Sequence, residues 1–285
     1  MSETKYLFTR KGLTDTSWKV TEGGTEIAEI TVKDDTIIAT PKSCDLFGDE
    51  LNERLTEIEK EFMAFVDRPE FIIGTMIPQE ALTDEPIDST RQQELIEYLE
   101  QYIKGCCAVI YSDELSEKYA QRAISWLETT DFYTAPASTK YHDSDASGLL
   151  RHTLKVINNV TELSHMSQFK DVDLAEAILA AIVHDWCKIN FYEEYYRNVK
   201  DNETGKWEKV PAYRCKDSDL PFGHGVTSLF IAQKIFKLSV EQALAVRWHM
   251  SLSDVSEYEK YDLYVANARY PMVMLLQIAD QLSAL

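Results

Sequence analysis

A histidine directly followed by an aspartate, His184-Asp185, closes the apolar run Ala181-Ile182-Val183. Adjacent ionisable groups on an apolar segment are costly to bury unless something neutralises them. A divalent metal does so, because imidazole nitrogen and carboxylate oxygen both ligate Mn, Fe, Ni, Zn or Mg. The pair has company: His152 lies upstream, and His224, His249 and Asp280 lie downstream, so four of the six histidines belong to one candidate site. Singly, each histidine reads more readily as a surface or core residue than as a ligand. Together they make a metal centre the better reading. Bound metal lowers the pKa of water toward about 7 and so generates a nucleophile.

Helices must carry these residues. From Thr90 onward, apolar residues recur at helical spacing and predict helices over 90–105, 114–129, 148–166, 172–187, 224–237, 239–250 and 270–284. Ser239, with Gln242 three residues on, reads as an N-cap and its capping-box partner. Residues 191–216 break the pattern. Two aromatic-rich stretches, holding Tyr192, Tyr195 and Tyr196 and then Trp207 and Tyr213, flank Asp201-Asn202-Glu203-Thr204-Gly205. That predicts a β-hairpin inserted right after the His-Asp pair, placed to hang over the site. Upstream, residues 26–40 read as a hairpin around Asp34-Asp35, Asp49–Val66 as an amphipathic helix led in by Gly48, and 71–77 as a strand ended by Pro78. Pro78, Pro86 and the acids between them mark a boundary. The expected fold is mainly α: a helical domain over 86–285 with an inserted β-hairpin, preceded by a small acidic α+β domain over 1–85.

Composition narrows the function. The chain has 285 residues and a net charge of −19, of which residues 1–100 carry −13 and residues 101–285 carry −6. Such acidity argues against broad nonspecific binding to a polyanion, whose affinity comes mainly from Lys and Arg. No stretch reaches the roughly 18 apolar residues of a membrane helix, and the first residues lack a signal-peptide pattern, so a cytoplasmic protein off the membrane is expected. Five cysteines, including the adjacent Cys106-Cys107, do not read as a disulfide framework. Cys187 stands beside the His-Asp pair without a spare histidine as base, which reads as core lining rather than a nucleophile. No Walker loop, dinucleotide fingerprint or Gly-x-Ser-x-Gly elbow occurs.

The order His152, His184-Asp185, His224, His249, Asp280 resembles the HD superfamily of metal-dependent phosphohydrolases over roughly residues 105–285. The local contexts support it: Gly148-Leu149-Leu150-Arg151 before His152, Lys188 completing a His-Asp-x-x-Lys pattern, Gly223-His224-Gly225, and a closing helix around Asp280. More distantly, the chain resembles HD-type 3′-5′ exoribonucleases. The resemblance implies two divalent metal ions, one held by His152, His184, Asp185 and Asp280, the other by Asp185, His224 and His249, with Asp185 as the bridge. It implies hydrolysis of a phosphate ester by metal-activated hydroxide, with Asp185 and Lys188 in catalytic roles and a nucleotide or a short single-stranded nucleic acid as substrate. Lys188, one helical turn after His184, would place a charge on phosphate. Arg197, Arg214 and His142 are candidate substrate contacts. Two alternatives remain beside a nucleotide phosphohydrolase or phosphodiesterase: a 3′-5′ exonuclease on single-stranded RNA or DNA, and a metal-stabilised binding module acting through the acidic N-terminal part. Superfamily members often form homodimers, and the resemblance extends that expectation here.

Overall fold

The computed structural model describes residues 7–10, 17–23, 25–33, 36–42, 49–66, 73–85, 87–141, 143–200, 205–217 and 220–284. Its contacts divide the chain into two units, Met1–Met76 and Ile77–Leu285.

The first unit is an antiparallel sheet of four strands in sequence order, β1 (Leu7–Arg10), β2 (Ser17–Glu22), β3 (Thr25–Lys33) and β4 (Thr36–Pro41), with helix α1 (Asp49–Val66) packed on β4. Alternation along the strands sends Trp18, Val20, Ala28, Ile30 and Ala39 to one face, where Ile58 and Phe62 of α1 meet them. The Trp18 and Phe62 rings lie 4.9 Å apart. The predicted hairpin over 26–40 is the β3–β4 pair; its Asp34-Asp35 turn and Gly48 lie outside the described residues. Strands β1 and β2, which the sequence reading left without structure, complete the sheet.

The predicted strand over 71–77 is a correction. Among its described residues, 73–77 form no strand. Ile77 instead pairs both backbone groups with one buried amide: its N–H donates to Asn158 Oδ1 at 2.9 Å, and Asn158 Nδ2 donates to its carbonyl at 2.8 Å. A side chain thus supplies what a neighbouring strand would have supplied. Replacing Asn158 by leucine strands two buried backbone groups and is expected to cost about 2–4 kcal/mol, read as a lower midpoint in thermal unfolding.

The second unit is helical: α2 (Ser89–Ile110), α3 (Asp113–Glu128), α4 (Gly148–Leu163), α5 (Leu174–Val183), α6 (His224–Ala232), α7 (Val240–Trp248), α8 (Lys260–Arg269) and α9 (Pro271–Ser283). Helix α5 is apolar but for Glu176 and buried from Ala177 to Val183, so it forms the axis of the bundle, flanked by α2, α4 and α7. Helix α9 packs against α4 and α7. Asp88 and Asp173 cap α2 and α5 by accepting from the N–H groups of Arg91 and Glu176. The expected capping box at Ser239 and Gln242 is present. Trp186 is fully buried against Trp126 and Phe236, ring centroids 4.8 and 5.9 Å away.

Helix α5 stops at Val183, short of the predicted residue 187, and the chain turns through a 3₁₀ segment, Trp186–Lys188. Strands β5 (Tyr192–Lys200) and β6 (Trp207–Cys215) then pair antiparallel from Tyr192↔Cys215 to Lys200↔Trp207. Among the described residues, no helix is long and apolar enough to cross a membrane.

Candidate metal centre

Four chain segments deliver five of the candidate ligands to one place. His152 lies one turn into α4, His184 is the C-cap of α5, Asp185 leads into the 3₁₀ turn, His249 is the C-cap of α7, and Asp280 lies in the last turns of α9. His152, His184, Asp185 and His249 are all buried, while the Asp280 side chain keeps 16% of its surface exposed.

Asp185 is the hub. Its Oδ2 lies 3.4 Å from His152 Nε2, 3.3 Å from His184 Nε2 and 2.6 Å from Lys188 Nζ; its Oδ1 faces His249 Nε2 at 3.6 Å. Asp280 Oδ1 lies 3.1 Å from His152 Nε2 and 3.7 Å from His184 Nε2. The two oxygens of Asp185 therefore face two different sets of histidines, the disposition of a bridging carboxylate.

The other ring nitrogens are committed. His184 Nδ1 lies 2.7 Å from the Ala181 carbonyl, and His249 Nδ1 lies 2.8 Å from the Val246 carbonyl. His152 Nδ1 lies 3.2 Å from Ser283 Oγ, whose hydrogen goes to the Asp280 carbonyl at 2.6 Å. Each imidazole thus donates Nδ1–H to an oxygen, which leaves Nε2 as the inward-facing atom, able to ligate a metal once any proton on it is displaced. This is the tautomer a metal needs, and the early end of α5 makes it possible: as C-caps, His184 and His249 reach back to carbonyls that the helix ends leave free.

Two atoms in the middle have no hydrogen-bond partner although buried: Asp185 Oδ1 and His249 Nε2. Buried polar atoms are normally paired. Here two lone-pair donors face each other at 3.6 Å, too far for a hydrogen bond and well placed for a shared cation. Metal-compatible groupings comprise His152, His184 and Asp280 on one side and Asp185, Cys187 and His224 on the other. Nitrogen and carboxylate donors of this kind suit divalent first-row ions.

Without an ion, protons on the histidines and Lys188 supply the positive charge that the two carboxylates need. Burial opposes ionisation of Asp185, yet Lys188 and His184 outweigh it and hold the carboxyl well below its usual range. Burial likewise works against Asp280, and His152 and His184 pull it down. Burial lowers His152, but bonds to Asp185 and Asp280 raise it to about 9. His249 is raised by Asp185 against its burial, and His224 is lowered by burial. Lys188 stays charged because Asp185 offsets its burial.

Not every candidate joins the cluster. His224 opens α6 with Nδ1 at 3.2 Å from Cys187 Sγ, and a ring nitrogen of His224 lies within 4.8 Å of an Asp185 oxygen. Arg214 pairs across the hairpin with Glu193 and lies over the Tyr195 ring. Arg197 stands opposite Val210, five residues up the strand from Tyr192. Among the described residues, no hydrogen bond or ion pair joins either arginine to the cluster. His142 lies outside the described residues. His165 is exposed at the surface.

One residue that the sequence reading passed over, Ser283, enters the site, and one that it read as core lining, Cys187, stands beside it. Cys187 is a neighbour of His224 rather than plain core lining, and its thiol is pushed up to about 12 by burial. Ser283 orients His152; its one signal in the sequence is its position one turn after Asp280. Replacing Ser283 by alanine is expected to weaken metal binding about 10–100-fold, measured by competition with a chelating dye, with little change in the fold.

Residues 149–285 match the family model for the HD domain. No curated protein and no solved structure matches the chain.

Proposed function

This chain belongs, over residues 149–285, to the HD domain family, and on that premise we propose that it is a metal-dependent phosphohydrolase acting on a nucleotide-type phosphate ester. The family is generally one of metal-dependent phosphohydrolases. The observation that carries the reading is the convergence of Nε2 atoms and carboxylates around two partnerless buried atoms, Asp185 Oδ1 and His249 Nε2.

In this reading His152, His184, Asp185 and Asp280 would hold one divalent ion, and Asp185, His224 and His249 would hold a second. When bound, such ions activate water and neutralise phosphate charge. The protein contributes the rest. Asp185 gives one oxygen to each side. Ser283, Ala181 and Val246 lock three imidazoles in one tautomer, so no reorganisation is needed as charge develops. Lys188 carries a fixed positive charge at Asp185 Oδ2, within reach of a phosphate oxygen beside it. Apolar α5 and Trp186 shield the inner wall from water.

A panel of nucleoside mono- and triphosphates, cyclic nucleotides and short single-stranded RNA and DNA, assayed with Mn²⁺, tests the reading. Release of phosphate or nucleoside from a small nucleotide supports it. Stepwise shortening of an oligonucleotide moves the substrate to a polymer end. Metal-loaded protein that hydrolyses none of them overturns the substrate class.

A further inference from the structure

Against the outer side of the cluster lies a pocket of about 130 Å³ lined by Cys187, Phe191, Leu220, Pro221, His224 and Thr227. Two of these walls belong to the centre as well: ligand atoms of Cys187 and His224 lie within 4.8 Å of an Asp185 oxygen. Among the described residues, no lining side chain bears a fixed charge. Thr227 spends its hydroxyl on the Leu220 carbonyl at 3.1 Å. Phe191 presents an aromatic wall, braced by Tyr192 with ring centroids 5.3 Å apart. Its carbonyl is bonded to the N–H of Lys216 at 2.8 Å, which ties the wall to the chain leaving β6.

A pocket with apolar and aromatic walls rejects phosphate and sugar hydroxyls and accepts a flat uncharged group. Its size decides which one. An apolar cavity of roughly 150 Å³ holds one benzene-sized ring. The pocket therefore offers about the space that a single six-membered ring fills.

We propose that this pocket is the subsite for one uncharged ring carried by the substrate, so that among nucleotides the pyrimidines bind in preference to purines. The inference rests on the phosphohydrolase reading for the placement of the phosphate at the adjoining centre. The ring recognised is the same whether it belongs to a mononucleotide or to the end of an oligonucleotide.

The test is calorimetric binding of UMP, AMP and a short oligo(U) to the wild-type chain with chelator present, so that neither turnover nor metal enters the readout. Leu220→Trp, which fills the pocket, and Phe191→Ala, which removes its aromatic wall, serve as variants. UMP is expected to bind more tightly than AMP. Both variants are expected to lose UMP affinity by roughly 5- to 150-fold, the range of one ring-stacking contact, while metal content stays at the wild-type level. Tighter binding of oligo(U) than of UMP, lost in the same variants, supports the subsite with a polymer end as its source. Equal affinity for UMP and AMP, or UMP binding indifferent to both variants, overturns it. Binding of UMP that depends on Leu220 in a protein that takes up no metal and hydrolyses nothing leaves the subsite standing and sinks the phosphohydrolase reading alone.

Discussion

Replacing Asp185 by alanine is expected to lower phosphoester hydrolysis by about 1000-fold or more and to strip the protein of bound metal. The magnitude follows from the several kcal/mol of transition-state stabilisation that a divalent ion supplies. Both sides of the centre fail together, because Asp185 Oδ2 faces His152 and His184 while Oδ1 faces His249. A stability loss accompanies it. Lys188 Nζ sits 2.6 Å from the same carboxylate with only 12% of its side chain exposed, and removing the partner leaves a poorly solvated charge. The double variant Asp185→Ala/Lys188→Met removes that charge as well. It is expected to recover much of the lost thermal stability while remaining inactive and poor in metal. A double variant that stays as unstable as the single one would show that Lys188 is not the source of the penalty.

Gly225→Ala is expected to disturb the metal centre from outside its ligand set. A Cβ at Gly225 would lie 2.0 Å from the Arg247 carbonyl oxygen and 2.9 Å from that of Val246. Both are backbone atoms of α7, so a turn of helix must move rather than a side chain. Val246 is also the carbonyl that holds His249 Nδ1, and Gly225 directly follows His224. One methyl group therefore displaces two histidines near Asp185. The expected outcome is a loss of about 1–3 kcal/mol in stability, seen in denaturant titration, and a fall in metal stoichiometry from two per chain toward one. Retention of both ions would place His224 and His249 outside the second binding position.

What the sequence disclosed of this arrangement follows from the physics of each part. Helices α2, α3 and α4 were legible because long amphipathic segments announce their period. Helix α8 was not: in Lys260–Arg269 only Leu263 and Ala266 are buried, too few to make a stripe. Strands β1 and β2 are short and depend on distant partners, so local pattern says little about them. The run before Pro78 is rich in β-formers, yet the amide of Asn158, 81 residues on, takes the place of a strand. Within the site, the ligand set was legible through residue type and order. The tautomer locks were not, because Ala181 and Val246 act through backbone carbonyls that any residue possesses. The hairpin arginines show the same limit: only the register reveals that Arg214 stands opposite Glu193.

Equilibrium dialysis of the wild-type chain against Mn²⁺, read by elemental analysis, tests the metal centre most directly. Two equivalents per chain are expected, falling to none or nearly none in Asp185→Ala. A wild-type chain that retains no metal at saturating Mn²⁺ would contradict the reading of Asp185 Oδ1 and His249 Nε2 as atoms awaiting an ion.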